Sequence, residues 1–164
     1  MFFPMVNVEE FLKKNAIDYV LHEHPAVYTC EEAEKLCPDV PGASSKNLFL
    51  RDDKKRRYFL VIVDSKKRVD LKQLGETLGV KRISFASDND LKEKLGLEPG
   101  AVSIFGLLND PDNDVELFID LDFYEQPSVN FHPNRNTASI ELSKDMFHKA
   151  LKALEHEVNV VEIE

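Results

Sequence analysis

The stretch "GASSKNLFLRDDKKRRYFLVIVD", residues 42–64, decides the fold. Two apolar runs, "NLFL" and "YFLVIV", flank the polar "DKKR", which is the pattern of a β-hairpin. The second run is apolar at successive positions and is expected to be buried on both faces, as an interior strand is. Lys46 stands just before the first run, after two serines, at the rim of a segment bound for the core. A strongly hydrated ammonium at that place costs free energy, so the residue calls for a reason.

Outward from the hairpin, helix and strand signals alternate. Asn7 with Glu10, and Thr29 with Glu32, have the spacing of capping boxes that open helices over "VEEFLKKN" and "CEEAEKL". Asp70 and Gly79 bracket an amphipathic "DLKQLGETLG", Ser87 or Asp88 starts "SDNDLKEKLG", and Ser143 caps "KDMFHKALKALE". "DYVLHEH", "AVSIFGLL", "VELFIDLD", "SVNFH", "TASIELS" and "VNVVEIE" read as strands. Strands outnumber helices and hairpin signals dominate. The expectation is an α+β domain with a curled, mixed and largely antiparallel sheet, barrel-like, surrounded by helices. No linker or internal repeat divides the chain, so residues 1–164 are expected to form one domain.

The composition is that of an ordinary globular protein, 43% hydrophobic and 31% charged. No apolar run approaches the length of a membrane span. "MFFPMVNVEE" lacks the basic and small-residue flanks of a signal peptide, and two cysteines are too few for a disulfide framework. A cytoplasmic protein is expected. With 30 acids against 21 bases the net charge is −9, which argues against indiscriminate coating of nucleic acid. The bases are uneven, however. "KKRR" (54–57) and "KKR" (66–68) lie at the two ends of one apolar run, and "KR" (81–82) follows. Such clusters either keep a hairpin edge soluble or form a local basic face.

Most standard chemical constellations are missing. His22, His24, Cys30 and Cys37 are zinc-ligand types but lack the tight spacing of a structural site, so free thiols are the default. No G-x-S-x-G, Walker A or G-x-G-x-x-G sequence occurs. The pairs Asp120/Asp122 and Asp110/Asp112 lie in or beside polar turns and read as solvated acids rather than a catalytic dyad. Three less generic segments remain: Lys46 itself, "EPGAVSIFGLLND" (98–110), and the His-Pro-Asn turn of "NFHPNRNTASI" (130–140). The glycine of the second allows close backbone approach, and the third puts polar groups at strand ends. Together they suggest one pocket.

In order along the chain, "HEHPAVYTCEEAEKL", "GASSKNLFLRDDKKRRYFLVIV", "RISFASDNDLKEKLGLEPGAVSIFGLLND" and "FHPNRNTASIELS" resemble the YbaK/prolyl-tRNA synthetase insertion-domain family of aminoacyl-tRNA editing deacylases. The resemblance is nearest to its free-standing, ProX/PrdX-type alanyl-tRNA(Pro) deacylases. It implies hydrolysis of alanine wrongly esterified to proline tRNA, with no metal and no cofactor. It places Lys46 on the family's essential lysine. Gly100, Ala101, Val102, Ser103 and Ile104 fall on a G-x-x-x-P loop that surrounds the ester, with Ile104 where the family has proline. Asn47 and His132 fall on positions that hold the tRNA 3′ end, with Asn134 in the same turn. Val27, Cys30 and Ala33 fall on the pocket wall that sets side-chain size. Lys54, Lys55, Arg56, Arg57, Lys66, Lys67 and Arg68 become candidates for a tRNA-facing edge.

The chemistry is coherent without the name. An aminoacyl ester is already activated, so its hydrolysis needs positioning and polarisation more than a strong base. A proline pocket rejects the smaller alanine by only about 1–3 kcal/mol, so a second, smaller pocket completes a double sieve. The implied partners are the acceptor end of mischarged tRNA and prolyl-tRNA synthetase, with no role for membrane or DNA. The alternatives are a deacylase for Cys-tRNA(Pro) or another small aminoacyl-tRNA, and a non-catalytic regulator that binds tRNA or an amino acid.

Overall fold

The computed structural model describes residues 7–29, 31, 32, 35 and 40–164. Cys30, Ala33 and Cys37, with most of the expected "CEEAEKL" helix, lie outside the described residues. In chain order the elements are α1 (Val8–Lys14), β1 (Val20–Glu23), β2 (Ala43–Asp52), β3 (Tyr58–Asp64), α2 (Leu71–Leu78), β4 (Ile83–Phe85) and α3 (Asp88–Leu95). A 3-10 helix (Ile104–Asn109) follows, then β5 (Val115–Asp120), α4 (Leu121–Tyr124), β6 (Ser128–Phe131), β7 (Ala138–Ser143), α5 (Lys144–Ala153) and β8 (Val158–Val161).

The opening stretch folds as its pattern predicts. β2 and β3 pair antiparallel from Ser45 opposite Asp64 to Arg51 opposite Tyr58. Tyr58 to Val63 are all buried, because β3 has a strand on each side and a core on each face. The strand order is β1-β7-β6-β2-β3-β5-β8, with β4 also on β2. The β1–β7, β6–β7, β2–β3 and β2–β4 pairs are antiparallel, and β2–β6, β3–β5 and β5–β8 are parallel. The sheet is mixed, as expected, and it curls without closing. Among the described residues β1 and β8 form no pair.

Side-chain alternation along β2 divides two cores. Phe49 joins a cluster with Leu60, Ile62, Leu117 and Phe131. Leu48 and Leu50 face the other way, against Phe59, Val61, Val63 and Leu74 and Leu78 of α2. Lys46 therefore lies on the second face and Asn47 on the first.

The helix ends follow their sequence signals. Asn7, Asp70, Ser87 and Ser143 each accept a backbone N–H, and Ser87 forms a reciprocal capping box with Asp90. Two expectations are corrected. "AVSIFGLL" is not a strand: Ser103 accepts the Phe105 N–H and starts the 3-10 helix. Gly106 packs there so closely that a Cβ would meet Leu97 Cδ1 at 2.7 Å.

The second correction concerns the acids. Asp120 and Asp110 are buried, 1% and 4% exposed, because each carboxylate accepts hydrogen bonds from backbone and side chain. Asp120 holds Lys67 Nζ at 2.6 Å and the Ile163 N–H at 3.1 Å. Asp110 accepts the Asp114 and Val115 N–H groups and meets His156 Nε2 at 3.2 Å. His156 Nδ1 faces the Leu154 carbonyl at 3.0 Å, so both ring nitrogens meet acceptors.

Burial alone lowers the His156 pKa, but the Asp110 carboxylate and the Leu154 carbonyl more than offset this, and the net shift is upward. A raised folded-state pKa contributes stability that is complete below about pH 6.5, the unfolded value. That stability is lost as pH rises through the folded value. Thermal unfolding followed across pH 5–9 should show wild type losing its advantage over His156→Gln as the pH rises above about 6.5.

Candidate active site

A cavity of about 610 Å³ opens at the end of the hairpin that carries Lys46. Its wall is the β2 edge from Ala43 to Leu48, the β3 end at Asp64–Lys66, and the segments around Tyr28, Gly100–Val102 and Asn130–His132. The topology makes the opening. On the side of β2 away from β3, β6 pairs only with Ala43 and Ser44, and β4 only with Leu50 to Asp52. Ser45 to Leu48 lie between them, and there the strand faces the cavity.

All three segments singled out in the sequence meet here. Lys46, Asn47, Gly100, Val102 and His132 line the cavity, and so does Lys66. Among the described residues Lys46 forms no ion pair, whereas Lys67, Arg51 and Arg57 each hold a carboxylate. A partly buried ammonium without an internal counter-ion suits a group that arrives with negative charge.

Gly100 has φ +86, a left-handed conformation that favours glycine. A Cβ there would come within 2.9 Å of Tyr28 Cδ1. The Tyr28 ring thus lies against the loop backbone while 66% of the residue stays exposed. Ile104, in the place of the family's proline, is the first residue of the 3-10 helix and is 2% exposed. Proline suits such a first position because its N–H would be free and its φ is preset. Here the Ser103 cap and the burial of Ile104 hold the turn instead. Asn134 closes the arrangement: its Nδ2 donates to the Phe105 carbonyl at 3.2 Å, tying the His-Pro-Asn turn to the helix after the loop.

The histidines have defined roles. His132 Nδ1 faces the Ala138 carbonyl at 2.8 Å, which makes it the donor and leaves Nε2 with a lone pair. Burial is the main cause of a lowered His132 pKa, and His24 nearby lowers it further. The ring is therefore neutral near pH 7. His24 stacks edge-on to it at 5.9 Å. His24 Nδ1 faces the Pro25 carbonyl at 2.8 Å, so Nε2 accepts the Ser139 hydroxyl at 2.9 Å. Ser139, on the cavity wall, is left with acceptor lone pairs.

Other residues singled out in the sequence lie elsewhere. Ala101, Ser103, Val27 and Asn134 are buried behind the wall rather than on it. His22 meets Glu141 Oε1 at 3.0 Å, and with Cys30 and Cys37 outside the described residues the H-x-H pair gathers no metal-ligand group there. Of the basic clusters, Lys67 is held by Asp120 and Asp122. Arg57 is held by Glu116 and lies over the Phe59 ring at 4.9 Å. "KKRR" and "KKR" stand at opposite ends of β3, about 20 Å apart at about 3.3 Å per residue. Tyr28 and Ser139 were missed, and His24 was weighed only as a metal ligand. The only sequence signal was an aromatic before a capping threonine and a polar residue at an inward strand position.

The family model of the aminoacyl-tRNA editing domain matches residues 24–150. The prolyl-tRNA editing protein ProX of Acetoanaerobium sticklandii is 41% identical over 147 residues, 90% of each chain. The prolyl-tRNA synthetase associated domain-containing protein 1 of Mus musculus is 38% identical over 92% of this chain and 90% of its own. The solved structure of hypothetical protein APE2540 superposes with a TM-score of 0.73, covering 95% of this chain and 97% of that one at 22% identity. A candidate trans-editing enzyme for prolyl tRNA synthetase gives a TM-score of 0.71 at 21% identity, covering 96% and 94%. At those identities the two structures speak for the fold alone. The relatives and the family model together establish that the chain belongs to the aminoacyl-tRNA editing domain family, whose members are aminoacyl-tRNA deacylases.

Proposed function

We propose that the protein is a cytoplasmic trans-editing hydrolase that removes alanine from mischarged tRNA(Pro), around Lys46 and without a metal. The observation that carries the reading is one cavity holding Lys46 opposite the Gly100 loop and the neutral His132. The 41% identity to a prolyl-tRNA editing protein directs it to proline tRNA.

In this reading the terminal nucleoside enters the cavity with its ester against the Gly100–Val102 backbone. Lys46 holds the terminal phosphate or the oxyanion that develops on the ester carbonyl. Water attacks that carbonyl, the bond to the ribose oxygen breaks, and the ribose hydroxyl takes back a proton. The products are free alanine and uncharged tRNA. The lone pairs of His132 Nε2 and Ser139 Oγ orient donors, either the water or the α-ammonium of the amino acid. No strong base is required, because the ester is activated and the fixed cation stabilises charge where it forms. The wall offers Tyr28, Val102 and Leu48 as apolar surface for a methyl side chain, and a small pocket that excludes proline supplies the second sieve.

Purified protein should deacylate Ala-tRNA(Pro) in the presence of a chelator and spare Pro-tRNA(Pro). Lys46→Ala should lower kcat/KM by about 100-fold or more, the scale of losing one preorganised charge partner in a transition state. Full activity in that variant would overturn the role of Lys46. Faster turnover of Cys-tRNA(Pro) in a panel of mischarged tRNAs would overturn alanine as the substrate. RNA binding with no turnover of any ester would favour a regulator.

Gly100→Ala places an L-residue in a left-handed conformation, at about 1–2 kcal/mol, and drives a methyl into Tyr28. Kinetic assays should show at least about a tenfold loss in kcat/KM, since small displacements of positioning groups are costly. Circular dichroism should show the fold retained.

A further inference from the structure

A second hollow, of about 430 Å³, lies at the other end of the hairpin from Lys46. Lys72 of α2 and Lys81 and Arg82 before β4 surround it, over Leu71 and Ile83, with Asp53 on its edge. Ile83 is opposite Asp52 in the β2–β4 ladder, which brings Lys81 and Arg82 beside the hairpin turn carrying Lys54, Lys55 and Arg56. All six cations are exposed. Among the described residues none of them forms an ion pair, whereas the nearby Arg51 and Arg57 are both bound to carboxylates.

The local acids do not pair with these side chains. Asp52 accepts the Arg56 and Arg57 N–H groups, and Asp70 caps α2. Only Asp53 remains in the hollow. In a chain of net charge −9, six cations gathered at one end, with no ion pair among the described residues, require an explanation. Phosphate backbones are bound by such clusters, and a negative remainder keeps the protein from holding RNA indiscriminately.

The separation defines what binds there. From Lys46 to Asp52 the strand covers about 20 Å at about 3.3 Å per residue. A lone esterified nucleoside in the cavity does not reach that far, but the stem behind it does. Resting on the editing function proposed above, we propose that Lys54, Lys55, Arg56, Lys72, Lys81 and Arg82 form a second RNA-binding surface that grips the phosphate backbone of the substrate's stem. Lys46 holds the reacting end and this surface supplies affinity that the reaction centre does not.

The test uses the full chain with two charge reversals, Lys81→Glu/Arg82→Glu and Lys54→Glu/Lys55→Glu. Binding of an uncharged RNA hairpin with a single-stranded 3′ end is titrated from about 50 to about 200 mM salt. Each variant should bind about tenfold more weakly at low salt, with the slope of log K against log salt shallower by about one to two. On an alanylated hairpin KM should rise with kcat unchanged, while hydrolysis of 3′-alanyl adenosine stays at the wild-type rate. Unfolding temperatures should match wild type, since all six side chains are exposed. Wild-type RNA affinity and slope in both variants would overturn the proposal and leave an acidic protein as the occupant. An equal loss on 3′-alanyl adenosine would overturn it too. Cation-dependent RNA binding in a protein that hydrolyses no aminoacyl ester would uphold the surface and refute the editing function separately.

Discussion

The structure depends on how β2 divides its hydrogen bonds. One edge of the strand is given to β3 along its length, and the other is shared between β6 at the start and β4 at the end. This division joins the antiparallel β1-β7-β6 part to the mixed part made of β4, β2, β3, β5 and β8 in one curled sheet. It also leaves a gap at Ser45–Leu48, where among the described residues no further strand covers the edge. A sheet with β6 running the full length of β2 would bury the same apolar residues and have no cavity at Lys46. The site is therefore a consequence of incomplete pairing, and the strand that is central to the core also carries the charge at the opening.

Around that gap the wall is held by bonds that leave the cavity groups little freedom. The Gly100 loop is stopped by the Ser103 cap on one side and covered by Tyr28 on the other. The His-Pro-Asn turn is fixed to the same helix by Asn134, a non-glycine residue at φ +60 that the asparagine side chain tolerates. Backbone carbonyls select the tautomer of both histidines. The result is a cavity that holds a positively charged side chain together with the neutral His132, and in the proposed reading orientation rather than a matched acid and base meets the catalytic demand.

Much of this was readable in the residues, and the failures have physical causes. The hairpin, its buried second strand and the capped helices follow from local pattern, because alternation and capping are decided within a few residues. "AVSIFGLL" was read as a strand because its apolar content suits one. What made it a 3-10 helix was the Ser103 cap and the close fit of Gly106 on Leu97, and only the second of these is tertiary. Asp110 and Asp120 looked solvated because His156 and Lys67, the residues that bury them, are distant in sequence. In the same way, Lys46, Gly100 and His132 were each recognisable, but Ser139 and His24 gain a role only when β1 pairs with β7. The two basic clusters were placed at the two ends of one apolar run, and β3 holds them there, but the ion pairs that occupy Lys67 and Arg57 involve residues distant in sequence.

In the proposed reading the shared strand also links translational accuracy to strand register. Successive side chains of β2 point to opposite faces, so sliding the strand by one residue would exchange Lys46 and Asn47 across the sheet. Leu48 and Phe49 would trade cores in the same movement. No local adjustment of the lysine could repair such a slip, and no slip could leave the core intact. The Arg51–Asp90 pair at 2.6 Å and the bonds from Asp52 to the hairpin turn hold the far end of β2 in place. These contacts, remote from the cavity, act as locating pins for the register on which both the core and the position of Lys46 depend.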